Sequence, residues 1–370
     1  MKYKYGLLSF LFCVSFVSLA TSAAPLDNLS TIENNRSLWN AKLSFSIDRV
    51  NETLDVLNIR GQDDEFSGTT VGDYQGYSAN TDIMLWQGIN LNASIWKRKI
   101  DLGSLDSNIT TGKIGAQWNF LSQKKHAFQN ELIPSMAIRY QYWFNRAGDM
   151  TSASSRKLLN ITVDEIKISG VNDAQHQIDF VASWDFNPKA SFSFFSGLGR
   201  SEVSHDKFNV TYNGCQYSFD SPTKDSIILT LDQDVTSSCQ ISRIKREDST
   251  SPFTGPGLGI SYQSNYIQVG SAFNLALGKW GINGGMRYIK MNRDVDAVIS
   301  DLNKPTSMHN FIGLLAVSRH ITKNSILFAR GQYYYRNWAG EIPLTYNVFT
   351  SHRFSRAYGL MSLGLMLSFG

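Results

Sequence analysis

Charge is scarce in this sequence. Charged residues make up 18% of its 370 positions, against about a quarter in an average soluble domain. The 35 basic and 31 acidic side chains leave a formal charge of only +4. No run of basic residues longer than three occurs, so no nucleic-acid partner is expected. Eight prolines against 28 glycines leave little room for disordered linkers. Long apolar runs are missing too. Beyond residue 20 none approaches the roughly 20 residues of a membrane-spanning helix, and mean hydropathy is −0.22. Yet 42% of the chain is hydrophobic and 12% aromatic. Apolar residues that are plentiful but never contiguous must alternate with polar ones, and that is the period of a strand.

The exception is the first segment. Lys2 and Lys4 precede an apolar stretch over 6–20, and small residues follow in Thr21-Ser22-Ala23-Ala24. This is the order of a secretory signal peptide. Cleavage is expected after Ala23, since Pro25 disfavours the next position, and two of the four formal charges leave with it. Residues 24–38 then read as a short periplasmic tail, and 39–370 as a single unit. Three cysteines occur, and Cys13 lies within the leader. Cys215 and Cys239 are left as one pair in an exported chain, where a disulfide is expected. No second pair or suitably spaced histidine suggests zinc. Such a bridge contributes roughly 3 kcal/mol as a loop staple.

Alternation begins after Trp39. Leu43, Phe45 and Ile47 share one parity, while Lys42, Ser44, Ser46 and Asp48 share the other. The same pattern predicts strands over 77–86, 89–98, 111–120, 128–144, 174–186 and 190–203, and then over 257–277, 281–291, 310–319, 325–336 and 354–369. Parity shifts between Tyr262 and Ile267, which predicts a bulge or an extra turn there. Counted as one strand, that segment brings the total to twelve, with ten or fourteen as alternatives.

The connections fall into two classes. Those at 87–88, 121–126, 187–189, 278–280 and 320–323 are short. Those at 51–76, 101–110, 145–173, 204–256, 292–309 and 337–353 are mostly long and polar. Alternating short turns and long loops, an even strand count and strands of about ten residues predict a closed antiparallel transmembrane β-barrel of the bacterial outer-membrane type. Closure also satisfies every backbone group in lipid. Outward aromatics at two levels fit the interfacial girdles: Trp118, Phe120, Trp184 and Phe186 near the short turns, and Tyr140, Tyr142, Phe144, Tyr333 and Tyr335 near the long loops.

The last strand carries Ser362, Gly364, Leu367 and Phe369 in the sequence Ser-Leu-Gly-Leu-Met-Leu-Ser-Phe. It resembles the C-terminal assembly signal of outer-membrane proteins, with Gly370 as an added residue. The resemblance implies reading by the barrel-assembly machinery and placement among outer-membrane lipid and lipopolysaccharide. Separately, Phe253-Thr254-Gly255-Pro256-Gly257-Leu258-Gly259-Ile260 and Gly284-Gly285-Met286-Arg287-Tyr288-Ile289-Lys290 are similar to segments of the Legionella-type major outer-membrane protein family. Membership would imply pore formation.

The candidate site is the lumen. The wet parity gives Lys42, Arg98, Lys113, Arg139, Arg287, Arg330 and Arg336 against Asp48, Asp82, Asp179 and Asp185. These charges line a narrow channel for small hydrophilic solutes with a mild preference for anions, or they pair off and fill the barrel. A structural or surface-interaction protein with adhesive loops is the alternative, and a rim hydrolase a further one. Asp173 with His176, and His205 with Asp206, are the possible base and orienter pairs. No His-x-Ser or paired aspartates match the barrel hydrolases, no phosphate loop or metal cluster is present, and no catalytic residue or cofactor is expected.

Overall fold

The computed structural model describes residues 40–50, 73–86, 88–101, 106–121, 134–152, 156–158, 161–187, 189–212, 214–223, 226–231, 261–301, 303–336, 342–348, 350–355 and 357–369. The leader, the tail, Cys239 and the 253–260 segment lie outside them.

The chain runs through β1 (Asn40–Val50), β2 (Tyr74–Trp86), β3 (Ile89–Asp101), β4 (Asp106–Leu121) and β5 (Ser135–Ala147). The short strands β6 (Met150–Ser152), β7 (Arg156–Leu158), β8 (Ile161–Val163) and β9 (Glu165–Ser169) follow. After β10 (Asn172–Asn187) and β11 (Ala190–Ser204) come β12 (Lys207–Tyr212), β13 (Cys215–Thr223) and β14 (Ser226–Leu231). The chain continues with β15 (Tyr262–Leu277), β16 (Trp280–Arg293), α1 (Val295–Asp301), β17 (His309–His320), β18 (Ser325–Tyr335) and β19 (Ala357–Phe369).

Twelve of these strands close into one antiparallel barrel in the order β1-β19-β18-β17-β16-β15-β11-β10-β5-β4-β3-β2. The closing pair is β1 with β19, Ala41 facing Phe369 and Arg49 facing Met361. Alternation decides the two faces. Ser44, Ser46 and Asp48 are buried while Phe45 and Ile47 are exposed. On other strands Leu198 is 66% exposed and Leu363 58%. An apolar belt this extensive is built for lipid, since soluble surfaces rarely expose contiguous patches beyond a few hundred Å2. Trp118, Phe120 and Phe186 are exposed in it near the short turns, and Tyr140, Phe144 and Tyr335 near the long loops. The turns after β2 and β15 carry Gly88 at φ +92° and Gly278 at φ +66°, a left-handed backbone that glycine adopts without cost.

Four expectations need correction. Strand β15 holds no bulge, because its pairing with β11 and β16 runs in continuous register. The apparent change of parity arises because Tyr262 and Tyr266 point inward and are buried. Strand β19 begins at Ala357, preceded by a 3-10 turn over Ser351–Ser355. The connections over 145–173 and 204–256 are not plain loops: β6, β9, β12, β13 and β14 form a five-stranded sheet in the order β14-β13-β12-β9-β6. Finally, the 337–353 connection is not a polar surface loop, because its described part is buried within the barrel.

Candidate functional site: the lumen and its inserted segment

Alternation on the strands brings most of the expected inward charges together, and several are engaged with one another. The Arg139 guanidinium meets the Asp179 carboxylate at 2.8 Å, with a second hydrogen bond from Nε at 3.0 Å. Asp179 also accepts from Gln177 at 2.7 Å and from Gln268 at 2.5 Å. Gln268 in turn accepts from Arg287 at 3.2 Å. On the opposite wall Arg330 lies 3.8 Å from Asp48 and donates to Ser362 Oγ at 3.1 Å. Asp48 and Asp179 are 0% exposed, Arg287 and Arg330 1%, and Arg139 2%. A water-filled channel would leave its lining wet, so these values mark a filled lumen. Buried charges in such a setting persist only when paired and hydrogen-bonded.

Lys113 is also buried. Lys42, Asp82 and Asp185 are half-buried on the same inward parity, with Lys42 facing Asp82 across the β1–β2 pair. Arg336 is the exception. It follows the end of β18, is exposed, adopts φ +57° and stacks over Tyr335 at 5.4 Å. The strand ends one residue earlier than the alternation suggests, so its side chain never enters the lumen.

Two of the assembly-signal residues, Ser362 and Gly364, have inward roles as well. Ser362 takes the Arg330 bond. A Cβ on Gly364 would lie 2.3 Å from the Phe328 ring, so glycine is required for the Phe328 ring to fit against β19. Leu367 is half-buried and Phe369 exposed, on the outward parity.

Toward the long loops the filling becomes apolar. Ile342, Leu344, Tyr346, Val348 and Phe354 pack with Tyr74, Trp96, Ile100, Tyr262, Ile289, Ile312, Tyr334 and Leu360 of the wall in one cluster. Each of the smaller apolar side chains in the inserted segment contributes about 1.5–3 kcal/mol by burial. The segment 342–355 is therefore a plug held by hydrophobic contact. Polar bonds fix its position. Tyr262 donates to the Pro343 carbonyl at 2.6 Å, and Asp173 accepts the Leu344 N–H at 3.1 Å. Tyr346 donates to Asp296 on α1 at 2.6 Å, and the Arg293 guanidinium stacks on its ring at 4.1 Å. Lys304 donates to the Val348 carbonyl at 2.6 Å, and partial burial lowers its pKa. The gap between plug and wall is a cavity of about 20 Å3, lined by Gln175, Ser264, Arg293 and Tyr346 among others. That is room for about one water.

The wall residues that grip the plug escape a reading by charge alone. Asp173 is 2% and Arg293 7% exposed, and both are inward. Asp173 is joined to the wall through Asn145 at 2.6 Å, and Asn145 accepts from Arg98 at 3.1 Å. Arg98 also bonds Thr111 and stacks on Trp96 at 3.9 Å. Extending the alternation of β10 back by one residue would have placed Asp173 inward with Asp179.

The candidate catalytic pairs do not assemble. Asp173 points inward while His176, exposed on the outer face, bonds the Tyr140 hydroxyl at 2.7 Å. His205 bonds Ser261 Oγ at 2.6 Å, with Asp206 exposed beside it. Burial lowers the His205 pKa, and the nearby Asp206 charge offsets this in part. Among the described residues no group of three His, Cys, Asp or Glu could hold a metal.

No protein-family model matches the chain, and no curated protein does. Among solved structures the chain is similar to the translocator domain of the autotransporter NalP from Neisseria meningitidis: 9% identity, TM-score 0.47, covering 92% of this chain and 90% of that one. It is also similar to the NanC porin, at 8% identity and TM-score 0.41 over 88% of this chain and 98% of that one. For the KdgM porin the figures are 7%, 0.36, 89% and 99%. At these scores the likeness bears on neither activity nor partner. The barrel rests on the chain's own register and belt.

Proposed function

We propose that this chain is an outer-membrane barrel that acts at the cell surface, displaying the β6-β9-β12-β13-β14 sheet and its loops to external partners. The lumen serves as a filled, rigid support. The observation that carries this reading is the inserted 342–355 segment, sealed by apolar contact above a layer of buried ion pairs. Solute flux needs a continuous wet path, and neither layer offers one. Liposomes containing the folded chain should not swell in isotonic solutions of small sugars or small organic anions. Swelling above that of empty liposomes would overturn the reading.

A porin-like channel is the second reading. Lys42, Asp82 and Asp185 form a half-buried polar mouth at the short-turn end, and a single segment closes the other end. Its displacement would open a lumen richer in cations than in anions. Membership of the Legionella-type pore-forming family would favour this reading, and the likeness then rests on the described 284–290 part of β16. The chain is proposed to be non-enzymatic, because Asp173 and His176 project to opposite faces. A signal peptide over 1–23 and export to the bacterial outer membrane complete the proposal.

A further inference from the structure

We infer that the lipid-facing wall running from β18 and β19 across β1 to β5 carries a specific site for one phosphorylated, multiply acylated lipid of the outer leaflet, of the lipid A type. Two independent features coincide there. The first is a groove of about 640 Å3 on the outer face. Its low point is Ala79, which sits between Phe45 and Ile95 in one cross-strand row. Leu327, Leu363 and Leu365 form its far wall. All face lipid, so the groove offers acyl chains a concave apolar seat.

The second feature is charge at the groove's long-loop end. Tyr77 and Lys97 line the groove there and are register partners. Lys97 pairs with Thr110, which pairs with Arg146. One step closer to the loops, Arg49 pairs with Gln75 and Gln75 with Lys99. Arg49, Lys97, Lys99 and Arg146 are all exposed and share the outward parity of Ile47, Ile95 and Phe144. Alternate strands set neighbouring cations about 10 Å apart, within reach of a pair of phosphates for side chains of this length. Arginine and lysine both hold phosphate through charge-assisted hydrogen bonds. Two described acids of outward parity border them on the loop side, Asp101 at the end of β3 and Asp73 just before β2, both half-buried. Arg200 on β11, engaged with Gln263 at 2.6 Å, and Lys290 on β16 are outward cations that do not line this groove.

The order of groove below and cations above matches a lipid whose acyl chains point to the bilayer centre and whose phosphates lie at the outer surface. The inference rests on outer-membrane placement, with the long loops outside, and is indifferent to whether the lumen conducts. It is tested on the full folded chain in detergent by native mass spectrometry. The ligands are diphosphorylated lipid A, its dephosphorylated form, and phosphatidylglycerol as an anionic lipid with two chains. One diphosphorylated lipid A is expected to bind, at least tenfold more tightly than either alternative. Arg49→Glu with Lys97→Glu should weaken it at least tenfold, and Ala79→Phe, which fills the groove but keeps the charges, should do the same. Lys290→Glu should not. Heat-modifiable gel migration confirms for each variant that the barrel is folded, so loss of lipid binding is separable from loss of the barrel. Equal affinity for phosphatidylglycerol, or equal effects of Lys290→Glu and the patch variants, would overturn the site.

Discussion

The carboxylate of Asp173, near the start of β10, accepts the backbone N–H of Leu344 in the inserted segment at 3.1 Å. One wall residue thereby holds a plug 171 positions away in sequence. Removing the acceptor with Asp173→Ala leaves that N–H buried without its partner, at a cost of about 1–3 kcal/mol. Since each 1.4 kcal/mol is about tenfold, amide exchange over 342–348 should accelerate by about ten- to a hundredfold. Exchange of the central strands should be unchanged. Hydrogen-exchange mass spectrometry of the folded barrel checks this.

Arg139 and Asp179 form a buried ion pair at 2.8 Å. Truncating either partner strands the other charge at a cost of about 3–5 kcal/mol. Replacing both with apolar residues of similar volume should cost much less. Urea unfolding in lipid vesicles should therefore rank Arg139→Ala and Asp179→Ala well below both the double replacement Arg139→Met with Asp179→Leu and the wild type. Equal destabilisation by single and double changes would refute the coupling.

The corner between β11 and β12 should respond to acid. Burial holds the His205 pKa below its ordinary value, so the unfolded corner takes up a proton more readily than the folded one. The stability this provides is complete above the unfolded value of about 6.5 and declines as pH falls below it. Intrinsic-rate-corrected amide protection over 203–208 should drop on moving from pH 7.5 to pH 5. His205→Gln should abolish that dependence.

Cys215 opens β13 of the upper sheet, and its expected partner Cys239 lies outside the described residues. Peptide mapping without reductant should recover the 215–239 link. Cys239→Ser should lower the protection of β12 and β13 by up to roughly 3 kcal/mol while leaving the barrel strands unaffected.

How far the fold could be read from sequence varies by element. Period-2 alternation is imposed by lipid on one face and a lumen on the other, so β1, β3, β5 and β10 declare both their existence and their orientation. Strand ends carry no such constraint, and the alternation runs on through Arg336, one residue past the end of β18. Inward aromatics defeat the same logic: Tyr262 and Tyr266 fill the lumen, and their apolar rings mimic a change of parity. The inserted segment was the least legible. Its sequence Ile342-Pro343-Leu344-Thr345-Tyr346 has no regular period, and nothing local distinguishes a loop that folds inward from one that faces water. The charges of the lumen were identifiable, but their pairing depends on strand register, which alternation does not reveal: Arg139 faces Asp179 on adjacent strands, and Asp48 and Arg330 flank Ser362 in one row.

A sealed lumen carries no ion current, so single-channel recording of the full chain in planar bilayers reads the seal out. Wild-type protein should insert without conductance steps, and a variant lacking 342–348, which keeps the layer of buried ion pairs, should do the same. Stable openings of the wild type would contradict a sealed lumen.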